Sequence, residues 1–425
     1  MKRANVLITF DSHTPYLAYR VRELRRALER RGWSEVVRMR VVLLGAKEAS
    51  YDWGEGDWER EYGGVPVTVL TESFHGLGFR AYLSGAAVRT CWKLAGELIR
   101  ARPKLVFVGG YDRPASLMTA VLGFFFRWKT GPMHDSRFND AESYAKKIFL
   151  EAVKSPFMRL YPFFMCSGRE CVEYTQFLAG TKRPAYYAGW NVVDNEGIAA
   201  KGADGSRDGE LREILGLGES ESFLFMPIRF LEKKNIFRVI EAYDLCRRRM
   251  DEAGEPVVPL VMAGKGPLKE EAMRRIEARG IGDVIRVVEW VPYELVPRAC
   301  RLSNGVILAS THDQWGLIVN EALSAGAPTL VSNRCGAHEL VRNNRNGFTF
   351  DPYDTGHLAE LMRALSVDEE LVAKLRSNAS KSMEMFSIDQ FLEAWFGVFE
   401  RYGLVGGTGE EVEASGEELG EVLES

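Results

Sequence analysis

Two short stretches of the chain combine residue types suited to phosphate and to sugar hydroxyls. The first is Met226-Pro227-Ile228-Arg229-Phe230-Leu231-Glu232-Lys233-Lys234-Asn235-Ile236, where Arg229 and Lys234 bracket a loop running from a strand end into a helix. A diphosphate leaving group gathers negative charge as its bond to a sugar breaks, and fixed cations aimed there lower the barrier. The second is Thr311-His312-Asp313-Gln314-Trp315-Gly316-Leu317-Ile318-Val319-Asn320-Glu321-Ala322-Leu323-Ser324-Ala325-Gly326-Ala327-Pro328. Asp313 falls at a helix start and Glu321 lies further along the helix. Backbone N–H groups around Gln314, Trp315, Gly316 and Leu317 would form an anion site with the positive end of the helix dipole. Glycine at 316 lets a phosphate approach the main chain. An ionised Glu321 accepts two hydrogen bonds at once, which suits a vicinal diol such as a ribose. Each stretch alone also has a plainer reading: Asp313 as a helix N-cap, Glu321 as a solvated helix residue, Arg229 and Lys234 as surface charges.

The elements that must position these residues are legible as short β-branched runs alternating with helical patterns, the signature of parallel sheets covered by helices. In the first half the expected strands are Asn5–Phe10, Met39–Leu44, Val65–Leu70, Lys104–Val108 and Phe163–Cys166. The first helix has a clear start: Thr14 can cap it, Pro15 takes its first position, and Leu17, Val21, Leu24 and Leu28 form one apolar stripe. A composition break at Asn195–Glu219, rich in Gly, Asp, Glu and Ser, reads as a linker. Strands then resume at Ser222–Pro227, Val257–Ala263, Val284–Val288, Gly305–Ala309 and Pro328–Val331. The expected organisation is residues 1–196 as a first Rossmann-like domain, 197–220 as linker and 221–385 as a second Rossmann-like domain, to which the family resemblance given below assigns the acceptor and the nucleotide-sugar donor respectively. Residues 386–403 are expected to form a helix returning to the first domain, and 404–425 an acidic disordered tail. Doubly wound domains place ligands at the carboxyl ends of their strands, so the cleft between the two is the expected site.

Composition narrows the function. Hydrophobic residues make up 46% and charged residues 27% of 425, a folded globular balance. The six cysteines form no C-x-x-C pair, which argues against a zinc ribbon or a disulfide framework. The apolar run before Asp11 is too short for a signal peptide core. The longest apolar run, Ala115–Phe126, falls short of the roughly 20 residues that span a bilayer, so a cytoplasmic location is expected. Seven glutamates after Arg401 account for the net charge of −4; without them the body is +3, too small for a nucleic-acid partner. No D-x-D pair or H-x3-H suggests a metal. The basic first helix together with Phe124-Phe125-Phe126-Arg127-Trp128-Lys129 offers peripheral contact with an anionic membrane as an alternative to plain solvated surface.

Taken together, the two stretches resemble the GT-B glycosyltransferases, specifically the retaining family 4 enzymes. Their E-x7-E signature followed by A-x-x-x-G-x-P looks like Asp313-x7-Glu321 and Ala322–Pro328, and their R-x4-K-(G/N) element looks like Arg229 to Lys234-Asn235. Leu260–Pro267, with Gly264, is similar to the family's strand and glycine loop. Cys335–Val341 and Asn346-Gly347-Phe348 complete a match over residues 222–365. The resemblance implies a retaining glycosyltransferase using a nucleoside diphosphate sugar as donor and a glycan or lipid-linked molecule as acceptor, with no cofactor and no required metal. It assigns Glu321 to the donor ribose, Arg229 and Lys234 to the diphosphate, and the loop Gln314–Leu317 to sugar and phosphates. Asp313 stands where the family has its first Glu, one methylene shorter, which points to sugar positioning. His134, followed by Asp135, lies where some relatives put a His near the donor sugar; the alternative is a surface loop histidine. Two other functions fit the same architecture: a nucleotide-sugar 2-epimerase, and a binding protein that has lost turnover.

Overall fold

The computed structural model describes residues 3–45, 47–48, 57–74, 85–138 and 144–406. From residue 407 on, the acidic tail lies outside the described residues, as does His75. Contacts divide the chain into two units, Met1–Val192 with Ile388–Ser425, and Val193–Ser387.

Strands of the first unit are β1 (Ala4–Phe10), β2 (Val37–Leu43), β3 (Lys47–Glu48), β4 (Val67–Val69), β5 (Ser73–Phe74), β6 (Leu105–Gly109), β7 (Lys129–His134), β8 (Phe164–Cys166) and β9 (Ala185–Tyr186). Seven of them form a parallel sheet in the order β4-β2-β1-β6-β7-β8-β9, while β3 and β5 pair separately. The first helix, Pro15–Arg30, starts as its sequence dictates, with the Thr14 hydroxyl accepting from the Leu17 N–H at 3.1 Å. Its stripe of Leu17, Val21, Leu24 and Leu28 is buried. Four strands of this unit are absent from the expected list: the two-residue pair β3 and β5, and β7 and β9 of the main sheet. β7 reads Lys-Thr-Gly-Pro-Met-His, and Gly and Pro inside a run argue against a central strand. The packing explains the glycine: a Cβ on Gly131 would sit 2.0 Å from the Phe163 ring.

The second unit holds β10 (Leu224–Pro227), β11 (Leu260–Ala263), β12 (Ile285–Val288), β13 (Gly305–Leu308), β14 (Thr329–Ser332) and β15 (Gly347–Phe350). They form one parallel sheet in the order β12-β11-β10-β13-β14-β15, the doubly wound arrangement in which chain order reverses between β10 and β13. Its core is aliphatic and aromatic, with Leu224, Met226, Ile240, Leu260, Met262, Ile307 and Leu330 fully or nearly fully buried.

The stretch expected as a linker is instead folded, because Asn195–Ala203 and Asp208–Leu215 are helices of the second unit. Asp194 caps the first by accepting from the Gly197 N–H at 2.9 Å, and Leu211 and Leu215 are buried beneath the second. The Arg298 guanidinium ties both down, donating to both carboxylate oxygens of Asp208 at 2.6 Å and to the Gly202 carbonyl at 2.8 Å. A short polar helix of this kind draws its stability from tertiary contacts rather than from propensity. No helix among the described residues is long and apolar enough to cross a membrane.

Candidate functional site

Chain order in the second sheet reverses between β10 and β13, the place where a doubly wound sheet binds its ligand at the strand ends. The two sequence stretches singled out above are the loops leaving β10 and β13. The Lys234 ammonium donates to Asp313 Oδ2 at 2.5 Å, and the Ser310 hydroxyl donates to the same oxygen at 3.3 Å. Lys233 Nζ lies 4.0 Å from the other carboxylate oxygen. The main chains are joined as well, since the Thr311 N–H donates to the Lys233 carbonyl at 2.8 Å. Side chains of Lys234 and Asp313 are 16% and 14% exposed. Burial alone would push the Asp313 carboxyl up, but the Lys234 ammonium, by charge and by hydrogen bond, outweighs it with help from Lys233 and Ser310. The carboxyl is held below the ordinary aspartate range.

Local structure fixes Lys234. Glu232–Lys234 is a single 3-10 turn, stopped by Asn235 in the left-handed conformation (φ +59°). The Asn235 amide is nearly buried and donates to the Pro352 carbonyl at 2.7 Å. Arg229, half-buried, lies in the same loop. The course of that loop is set by Gly264, where φ is +148° and a Cβ would lie 1.7 Å from the Ile228 carbonyl oxygen. Gly266 is similarly tight against Phe230.

Asp313 is held through its main chain. Its N–H donates to the Arg334 carbonyl and its carbonyl accepts from the Gly336 N–H, both at 3.1 Å. A Cβ on Gly336 would meet the Gln314 carbonyl at 2.1 Å. Trp315 turns inward, stacked on Phe386 at 5.0 Å and donating to Asn320 Oδ1 at 2.8 Å. Only its main chain is left to face a ligand, between exposed Gln314 and the half-buried Gly316 and Leu317. Gly316 takes φ +104°, and the helix Leu317–Ser324 starts from it. Glu321 sits on the buried side of this helix, 6% exposed. It is near enough to Cys300 that its charge adds to burial in pushing that thiol up. Asp313 is therefore not the helix cap, and Glu321 is not solvated.

His134 is placed elsewhere, in the first unit at the end of β7, 4% exposed. Its Nε2 is 3.1 Å from the Thr175 hydroxyl and its Nδ1 is 3.5 Å from Cys171 Sγ. The ring is engaged inside that unit, so neither a sugar contact nor a surface loop describes it. His13 is also enclosed, with Nε2 3.0 Å from Glu61. The loops after β1 and β6, at the reversal point of the first sheet, are joined by an Asp11–Arg113 ion pair. Ser310, Lys233 and Gly336 support Asp313 without having been singled out. The signal for Ser310 was its place three residues before Asp313, at the end of a strand.

Residues 208–382 match the family of glycosyl transferases group 1, a span that contains Arg229, Lys234, Gly264, Asp313, the loop Gln314–Leu317 and Glu321. Among curated proteins, the chain is 25% identical over 200 residues to an alpha-D-kanosaminyltransferase of Streptomyces kanamyceticus, 47% of this chain and 50% of that one. It is 30% identical over 146 residues to a D-inositol 3-phosphate glycosyltransferase of Streptomyces avermitilis, 34% of this chain and 32% of that one. The match therefore spans half or less of these relatives' length. Solved structures agree over nearly the whole chain. Anabaena HepE in complex with UDP and glucose superposes with a TM-score of 0.67 at 17% identity, covering 94% of this chain and 100% of that one. Trehalose 6-phosphate synthase of Burkholderia multivorans does so with 0.69 at 13%, covering 95% and 97%. The chain thus has the GT-B architecture of two Rossmann-like units, and its residues 208–382 are similar to the glycosyl transferases group 1 family.

Proposed function

We propose that the chain is a retaining glycosyltransferase of the family 4 type, moving a sugar from a nucleoside diphosphate sugar to a glycan or lipid-linked acceptor. The observation that carries this reading is the Lys234–Asp313 pair, which joins the two motif loops at the reversal point of the second sheet. An incoming diphosphate takes Lys234 from Asp313, and Arg229 supplies the second cation. The negative charge that grows on the leaving diphosphate then meets fixed positive groups in a largely buried place, where such stabilisation is strong. These cations do the work on the diphosphate without a required metal or cofactor. Glu321 holds the ribose hydroxyls, and the main chain of Gln314–Leu317 binds the phosphates and sugar. Asp313, released from Lys234, positions a sugar hydroxyl. The relatives named above are described as transferring sugars, and HepE holds UDP and glucose, which makes UDP-glucose the first donor to try.

On the acceptor side, we propose that the first unit rests on an anionic membrane. Phe124 and Phe125 are 84% and 71% exposed beside the exposed cations Arg127 and Lys129, a pairing suited to an interface of acidic headgroups. Sedimentation with phosphatidylglycerol vesicles should lose the protein on replacing both phenylalanines with serine.

The deciding experiment is a panel of nucleoside diphosphate sugars offered to the purified chain together with simple glycoside and lipid-linked acceptors, without added divalent ion. Donor turnover is expected in the wild type, with the product's anomeric configuration retained by NMR, and it should be lost in Lys234→Ala and Glu321→Gln. Full activity in both variants refutes the assignment. Conversion of UDP-GlcNAc alone without acceptor would indicate epimerisation, and ligand binding without turnover would indicate a binding protein.

A further inference from the structure

We infer that His134, Cys166 and Cys171 form a buried binding site for a thiophilic divalent metal ion of the zinc class inside the first unit. One ring nitrogen and the two sulfurs all lie within 4.8 Å of one another. They come from three elements: His134 ends β7, Cys166 ends the neighbouring strand β8, and Cys171 lies in the first turn of the helix Arg169–Ala179. Register places His134 directly beside Cys166, so the sheet sets two of the three groups and the helix that follows β8 sets the third. Exposures are 4%, 0% and 3%.

The hydrogen bonds around the ring select its ligand atom. The Thr175 hydroxyl has one proton, which it donates to the Cys171 carbonyl at 2.7 Å. Towards His134 Nε2, 3.1 Å away, it can therefore only accept, which puts the ring proton on Nε2. Nδ1 faces Cys171 Sγ at 3.5 Å and accepts only a long 3.4 Å contact from the Ser136 N–H, which a metal would displace; Cys166 Sγ lies 3.9 Å from Nε2, so its side chain turns towards Nδ1 when the metal binds. Zinc bonds of about 2.3 Å to sulfur and 2.0 Å to nitrogen in a tetrahedron put ligand sulfur and nitrogen about 3.5 Å apart. Thr175 thus has the part of the outer partner that orients a ligating histidine. Binding replaces the two thiol protons, which leave to solvent, with two metal–sulfur bonds. The site is independent of the glycosyltransferase reading, because no donor or acceptor role is asked of it.

The test uses the full chain, expressed without a metal-binding tag. Elemental analysis should find about one zinc per chain, and cobalt(II) added to metal-free protein should give a thiolate-to-cobalt charge-transfer band in the near ultraviolet. Cys166→Ala and Cys171→Ala should lose both signals, while Cys300→Ala, a buried cysteine of the other unit, keeps them. Thr175→Val keeps all three ligands and should weaken cobalt binding by about 10–100-fold, which preserves the test if the cysteine variants fail to fold. Wild-type protein with no zinc and no band overturns the inference. So does a Cys166–Cys171 disulfide in the native protein, or a band that survives removal of both thiols.

Discussion

Replacing Lys234 with methionine keeps an unbranched side chain, one atom shorter, and removes its charge, leaving Asp313 without its 2.5 Å partner in a place where only 14% of its side chain is exposed. Removing one partner of a fully buried ion pair costs about 3–5 kcal/mol. Here the Ser310 hydroxyl at 3.3 Å and Lys233 at 4.0 Å remain, so about 2–3 kcal/mol is expected for Lys234→Met at neutral pH. Adding Asp313→Asn should recover more than half of it, because no charge is then left uncompensated. The pH dependence has a definite sign. In the wild type the Asp313 carboxyl is held down, so its contribution is complete above the unfolded value of about 3.9 and is lost as pH falls through the lower folded value. In Lys234→Met burial dominates and the folded carboxyl moves above the unfolded value, so that variant regains stability on acidification. The gap between the two proteins should narrow as pH drops from 7 towards 4. Calorimetry of the second unit's transition measures it. A variant as stable as wild type at pH 7, or a gap that does not change with pH, would show that the pair is not what holds Asp313 ionised.

Other perturbations test neighbouring parts of the site. Gly316→Ala forces a side chain into φ +104° and brings its Cβ to 2.6 Å from Leu308 Cδ2; a stability loss above about 1 kcal/mol and reduced nucleoside diphosphate affinity by calorimetry are expected. Trp315→Phe removes the indole donor to Asn320 Oδ1, and urea unfolding should register about 1–3 kcal/mol. Arg298→Ala cuts the tie to Asp208 and Gly202; amide exchange should rise first in the helices Asn195–Ala203 and Asp208–Leu215. Lys234→Ala should lower kcat on an active donor by about 10²–10³-fold, the range seen when a fixed transition-state donor is removed.

Most of the second unit could be read in the chain because its strands are short apolar runs, fully buried in β11, β13 and β14, and its site loops have fixed spacing. Asp313 and Glu321 are separated by a strand-to-helix turn, Arg229 and Lys234 by a single loop, and both spacings survive into three dimensions. What was missed depends on contacts distant in sequence. The helices at Asn195–Ala203 and Asp208–Leu215 look like a linker because their order comes from Arg298, some ninety residues on. β7 was hidden by a glycine and a proline; the glycine makes room for the Phe163 ring, and the proline sits opposite Val108 of β6. With β7 unseen, His134 could not be recognised as an interior residue, nor Cys166 as its neighbour.

Gly264 and Gly266 do more than permit a turn. The Ile228 N–H reaches the Ala263 carbonyl at 2.8 Å, and the Phe230 N–H reaches the Lys265 carbonyl at 2.9 Å. The two glycines remove whatever side chain would wedge these backbones apart. The segment carrying Arg229 and the segment Gly264–Gly266 are therefore zipped together past the end of the sheet and behave as one mechanical part. Transplanting either alone into another scaffold would misaim the guanidinium, so anyone re-engineering this corner has to exchange both segments together.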